Sequence, residues 1–299
     1  MAMKNDAFSA FHPIVNFSYF AAVIGFSMFL MHPICLFISL ILAFIYSVRL
    51  GGRKAVMTAL KFMLPMMIFT ALLNPLFNHQ GATILAYLPN GNPVTLESIM
   101  FGAAAAAMLA AVISWFSCFN SVMTSDKFVY LFGRIIPALS LILAMALRFV
   151  PRFRKQAKVI SNAQKGIGRD VSDGNILRKI RHGAKILSIM ITWALENAIE
   201  TSGSMKNRGY GLKCRTAFSI FKFERRDGYA LLFVFICTAV MIIGFATGIY
   251  HFRYFPTIRV QWISPGAITI FVVYFALCAF PIAIDLKEEL LWRRIESKI

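Results

Sequence analysis

The sequence predicts an all-α integral membrane protein of about six transmembrane helices plus two long cytoplasmic helices. Three observations carry that expectation. Of 299 residues, 59% are hydrophobic and only 15% charged, against roughly 45–50% and about 25% in an average soluble domain. The formal net charge is nevertheless +18. The bases are also segregated: residues 148–226 hold 18 Lys/Arg against 5 Asp/Glu, a net +13. Segregation leaves long uncharged runs that a bilayer accepts and one stretch that it does not.

The first run extends from Ala7 to Val48 without a charge. At ~1.5 Å per residue that is about twice a ~30 Å hydrocarbon core, so it divides into two spans. The spans are 15–31 and 34–48, with a tight turn at His32-Pro33. A third occupies 55–77, with Lys61 near enough to its start to snorkel to the interface. Residues 78–94, with Pro89-Asn90-Gly91-Asn92-Pro93 and no Lys or Arg, read as a loop rich in turn residues. The fourth span, 98–123, opens on the small residues Gly102, Ala103, Ala106 and Ala107, a face that lets another helix approach closely. The fifth and sixth lie at 229–250 and 263–284.

Basic residues mark the cytoplasmic side of such a bundle. Lys4, Arg49, Arg53, Lys54, Lys127, Lys287, Arg293, Arg294 and Lys298 all agree with a multi-pass protein of the cell membrane, both termini cytoplasmic. Arg253 and Arg259 are the exceptions. The expected organisation is helices one to four in residues 1–125, a cytoplasmic domain in 126–227, and the last two spans with a basic tail in 228–299.

Within 126–227, a helical pattern runs from the apolar stretch before Arg148 to about Gly166. Ser172-Asp173-Gly174 is a turn, and Asn175 suits the N-cap of a second helix from about Ile176 to Asn207. Its apolar residues Ile180, Ala184, Leu187, Ile191, Leu195 and Ala198 recur every three or four positions, one face of a helix. Gly209 and Gly211 stop it.

Several chemistries find no footing. No Gly-rich loop followed by Lys-Ser/Thr offers a phosphate cradle, so the chain is expected to bind neither ATP nor another cofactor. The five Cys and five His have no metal-ligand spacing; the thiols read as free and buried. No span has an interior acid for a proton relay. Nothing points to nucleic acid, and a basic stretch beside membrane spans suits anionic lipid. What remains is a non-catalytic permease, scaffold or adaptor driven from elsewhere.

The second helix closes on Met205-Lys206-Asn207-Arg208-Gly209-Tyr210. This resembles the Ala-Met-Glu-Ala-Arg-Gly-Tyr signature of the transmembrane T component of energy-coupling factor (ECF) transporters, the family that includes the CbiQ subunit of cobalt importers. Leu147-Arg148-Phe149-Val150-Pro151 is similar to the family's Leu-Arg-Phe-Ile-Pro. Gly166-Ile167-Gly168-Arg169 lies where the family has a first Ala-Arg-Gly, with Ile167 in place of Arg. The likeness is specific over about 120–215 and general elsewhere.

The resemblance implies that the two basic helices are coupling helices, each ending in a motif that docks on one of two ABC-type ATPases. Those partners would bind and hydrolyse ATP. Their motion would pass to a substrate-binding S component that takes up a vitamin or metal ion. The docking residues would be Met205, Arg208, Gly209 and Tyr210 at one end, and Gly166, Ile167, Gly168 and Arg169 at the other. Arg169 either replaces the missing Arg in a shifted register or leaves that end partly apolar. Gly102, Ala103, Ala106 and Ala107 would offer the S component a sliding contact, or merely pack within the bundle. The alternative is a membrane scaffold that holds anionic lipid or a cytoplasmic partner without transport. The substrate is not written in this chain, because in the family the S component selects it.

Overall fold

A computed structural model describes residues 6–87, 89, 91–133, 137–168, 175–210, 212, 221–248, 252–258 and 265–296. They divide into two compact units, Met1–Thr124 with Phe221–Ile299, and Ser125–Ile220. The first contains α1 (Pro13–Phe29), α2 (Pro33–Gly51), α3 (Arg53–Thr58), α4 (Leu64–Phe77), α5 (Leu96–Val122), α9 (Arg225–Thr247) and α10 (Pro265–Glu296). The second contains α6 (Ser125–Gly133), α7 (Pro137–Gly166) and α8 (Ile176–Asn207). The molecule is therefore all-α in class, and α6 is a third helix beside the two long ones that the sequence pattern shows.

Among the described residues, five helical stretches are long and apolar enough to cross a membrane: α2, Arg53–Phe77, α5, α9 and α10. α1 is apolar but shorter, at 17 residues. Its ~26 Å of rise is at the lower limit for a span. α1 and α2 both start on His-Pro-Ile. The Nδ1 of His12 accepts from the Ile14 N–H, and that of His32 from the Ile34 N–H, both at 3.3 Å. Proline follows at N1, where its missing N–H costs nothing. These histidines do the work usually given to Ser or Asp, so the helix starts are invisible to a search for ordinary caps.

Arg53–Phe77 is one continuous stretch interrupted by a π turn at Ala59–Met63. Pro65 follows it, so the Lys61 carbonyl lacks its usual N–H partner; a π turn absorbs such a fault. Pro75 likewise leaves the Ala71 carbonyl without its intrahelical donor. Gly102 of α5 sits over that oxygen: a Cβ built on it would lie 2.8 Å from the Ala71 O and 3.0 Å from the Asn74 Cβ. The absence of a side chain is what lets α5 cover the orphaned carbonyl.

The core of this unit joins α1, α2, α5, α9 and α10. Phe8, Tyr19, Phe20, Trp115 and Phe280 pack largely edge to face at 5.1–6.5 Å between centroids. A hydroxyl chain crosses it. The Trp115 Nε1–H donates to the Ser39 Oγ at 3.0 Å, Ser39 pairs with Ser27 at 2.8 Å, and Ser27 with the Tyr274 hydroxyl at 3.0 Å. Inside a bilayer these groups have no water to turn to, so four helices are tied in one register. Four cysteines, Cys35, Cys118, Cys237 and Cys278, are free and buried, as expected; Cys214 lies outside the described residues.

One expectation needs correcting. Residues 78–94 are not wholly loop, because β1 (Ile84–Tyr87) pairs antiparallel with β2 (Pro93–Thr95). Pro89 and Gly91 lie between the two strands, and the alternation was too short to register as strand. The hairpin runs straight into α5. The buried Glu97 carboxylate accepts from the Thr83 Oγ1–H at 2.9 Å and the Thr83 N–H at 3.2 Å, locking the entry. His79 pairs through Nε2 with the Asn92 amide at 3.1 Å.

Candidate functional site

In the second unit, α7 and α8 are long, basic and joined through aromatic packing. Phe149 stacks on Phe153 at 5.8 Å, and Phe153 meets the Trp193 ring edge-on at 5.7 Å. The Arg152 guanidinium stands 5.6 Å over the same Trp193 ring. Phe149 belongs to the Leu-Arg-Phe-Val-Pro string, so that string backs the joint between the two helices through Phe153. Pro151 lies inside α7 and removes the donor for the Leu147 carbonyl. Arg152 and Trp193 carry no motif, and sequence reasoning missed them; a basic residue beside an aromatic pair was the available signal.

α8 starts on Asn175, whose Oδ1 accepts from the Ile176 N–H at 2.8 Å. It ends in a Schellman turn. The Tyr210 N–H donates to the Met205 carbonyl and the Gly209 N–H to the Lys206 carbonyl, both at 2.9 Å. Gly209 takes φ +78°, a left-handed conformation that closes the turn and suits glycine. Arg208 occupies the C-cap and is exposed, at the negative end of the helix dipole. Among the described residues it makes no ion pair. Met205 is half-buried, while Tyr210 is exposed.

The end of α7 shares the left-handed glycine and its bond to the carbonyl three residues back. The Gly168 N–H donates to the Lys165 carbonyl at 3.0 Å, and Gly168 takes φ +75°. Ile167 therefore stands where Arg208 stands, and Gly168 where Gly209 stands. Gly166 closes the helix, and Ile167 is 63% exposed. Arg169 lies outside the described residues, as do Gly211 and the turn at Ser172-Asp173-Gly174. The two ends share a backbone and differ in the side chain they project: a guanidinium at one, a branched aliphatic at the other.

The apolar face of α8 is not covered within its unit. Ile180, Leu187, Ile191, Leu195 and Ile199 are all exposed, Ile199 at 74%. The sequence pattern identified this face, but α8 turns a different one, containing Trp193, toward α7. The stripe from 180 to 199 is ~28 Å long, longer than an ordinary exposed patch on a folded domain. The small residues of α5 are divided. Gly102 and Ala106 are buried, Ala107 is half-buried and Ala103 is exposed. Gly102 is occupied by α4.

These features define a multi-pass α-helical membrane protein that carries a basic helical unit with two matching, exposed helix ends. The chain belongs to the CbiQ family of cobalt transport proteins, whose profile matches residues 12–218. That match takes in α1 to α8 and stops before α9. Among curated proteins, the energy-coupling factor transporter transmembrane protein EcfT of Lactococcus lactis subsp. cremoris is 33% identical over 106 residues, 35% of this chain and 40% of that one. EcfT of Streptococcus thermophilus is 26% identical over 204 residues, 65% of this chain and 76% of that one. An uncharacterized protein of Mycoplasma pneumoniae, the MG181 homolog, is 30% identical over 172 residues, 54% of this chain. The aligned part spans about 40% of the length of the first and third of these three relatives.

Proposed function

We propose that this chain is the coupling subunit of an ECF-type ABC importer. It passes ATP-driven motion from two ATPase subunits to a substrate-binding S component, for uptake of a vitamin or metal ion. The observation that carries the reading is the pair of like-built helix ends. A rigid turn presents one exposed side chain at the tip of each long helix, and the helices are joined at Phe153 and Trp193 so that a push on one moves the other. The kinship with EcfT proteins supports it. Arg208 is the group for a carboxylate or carbonyl-lined groove on one ATPase. Ile167 suits an apolar depression on the other. Met205, Gly209 and Tyr210, with Gly166, Gly168 and Arg169, complete the two ends.

The uncovered stripe of α8 fits an apolar partner such as an S component, and Ala103 provides a second contact. The chain itself binds no cofactor and performs no catalysis; ATP is turned over in the partners. Both termini are cytoplasmic, which is the orientation the basic residues favour. Residues 126–227 then form the cytoplasmic coupling domain between the transmembrane segments 1–125 and 228–299.

Co-expression with the two ATPases tests this directly. Arg208→Ala and Ile167→Glu are made separately, and ATPase recovery is measured after purification in detergent. Each change should remove roughly one of two ATPase equivalents. Undiminished recovery of both ATPases in both variants overturns the assignment.

A further inference from the structure

A cleft of about 290 Å³ lies between α2, the α3–α4 stretch and α5, and nothing above uses it. Its walls are Phe44, Ala59, Phe62, Met63, Met66 and Ile113, with Ser117 and Ser121 along the floor and Lys54 at one end. The π turn at Ala59–Met63 contributes Ala59, Phe62 and Met63 to its wall.

We infer that this cleft holds one acyl chain of an anionic phospholipid, with the headgroup at Arg53 and Lys54. Depth is the first argument. The lining runs from Lys54 to Met66, ~18 Å of helix, and from Ser121 to Ile113, ~12 Å. One leaflet contributes about 15 Å, half of a ~30 Å core. The cleft thus spans a single leaflet, with Lys54 in its lining at one end. Charge is the second. Arg53 and Lys54 are exposed and make no ion pair among the described residues. No Asp or Glu occurs in the sequence between Asp6 and Glu97, and the acid that α10 brings to α2, Glu289, is already held by Arg49 at 2.6 Å and Arg293 at 3.1 Å. Bases at the mouth of a gap between spans suit a phosphate. The Ser117 hydroxyl, near the basic end, can donate to a glycerol ester oxygen.

Native mass spectrometry of the full chain, delipidated in mild detergent and offered equal phosphatidylglycerol and phosphatidylcholine, tests the assignment. Phosphatidylglycerol should be retained about tenfold over phosphatidylcholine. Arg53→Gln with Lys54→Gln should abolish that preference. Ser117→Phe, which fills the floor and leaves the charges intact, should lower phosphatidylglycerol retention about tenfold. Ser117→Leu serves if the larger residue impairs folding. Equal retention of both lipids by the unaltered chain overturns the inference. So does wild-type retention after the floor is filled, since charge alone would then suffice. A photoreactive residue at position 117 should crosslink to lipid in native membranes, and crosslinking to a protein segment instead also overturns it.

Discussion

Replacing Gly102 with alanine should destabilise the membrane unit, although the same change elsewhere in it stabilises. A glycine inside a helix costs roughly 0.5–1 kcal/mol relative to alanine. At Gly25 of α1, a new Cβ would meet nothing within 4 Å, so Gly25→Ala should recover that amount. At Gly102 the Cβ would stand 2.8 Å from the Ala71 carbonyl oxygen, where ordinary contact begins at 3.4 Å. The helices must part by about 0.6 Å, and the opposing atom is backbone, which cannot swing aside. Overpacking of this kind costs about 1–3 kcal/mol. The propensity gain is common to both variants, so their difference isolates the overpacking cost. The assay is unfolding by sodium dodecyl sulfate in mixed micelles, followed by intrinsic fluorescence. Gly25→Ala should shift the midpoint up and Gly102→Ala should shift it down. Equal stabilisation by the two would refute the close seat of α5 on α4, and with it the account of how the Ala71 carbonyl is covered.

Three further outcomes follow from the geometry. Gly209→Val places a β-branched residue at φ +78°, at a cost of about 1–2 kcal/mol. The amide protons of Gly209 and Tyr210 should then exchange with solvent about tenfold faster or more, leaving mid-α8 amides unchanged. Trp193→Leu removes an edge contact and a cation–π contact, together worth about 1–2.5 kcal/mol, and α7 should become more susceptible to proteolysis. His12 and His32 accept a helix N–H, which only neutral imidazole can do. Burial holds both below the ordinary pKa of 6.5, and Asp227 partly opposes this at His12. A histidine depressed on folding stabilises above pH 6.5, and that contribution is lost as pH falls through the folded value. Melting temperature should therefore drop faster between pH 7 and 5 in the native chain than in His12→Asn with His32→Asn, where the caps do not titrate.

The spans, the α8 boundaries and the ends of both long helices were legible because each is written locally. Uncharged runs fix the spans, Asn175 fixes one start, and Gly209 fixes one end. The β-hairpin was not, since its strands of four and three residues give no usable period. The partners of Gly102 were not either. A small-residue run says that something comes close, while the identity of that something depends on Pro75, nearly thirty residues earlier in the chain. The candidate site divides in the same way. Arg208 and Ile167 stand out by sequence position, but their equivalence is a backbone fact. It rests on two glycines with matching torsions. The joint at Arg152, Phe153 and Trp193 is a long-range meeting that no local pattern announces.

The hydroxyl chain through Ser27, Ser39, Trp115 and Tyr274 has a consequence for how the molecule is made. Three of its members have been synthesised by residue 115, but the fourth arrives only with α10. All of the residues from Ser125 to Ile220 are synthesised in between. At about 5–20 residues per second the early helices wait several seconds or more for their last partner. Within that interval Trp115, Ser39 and Ser27 can pair with one another, and the Ser27 hydroxyl gains its Tyr274 partner only when α10 arrives. The bundle of the first unit is therefore completed only after the whole of the second unit has been made.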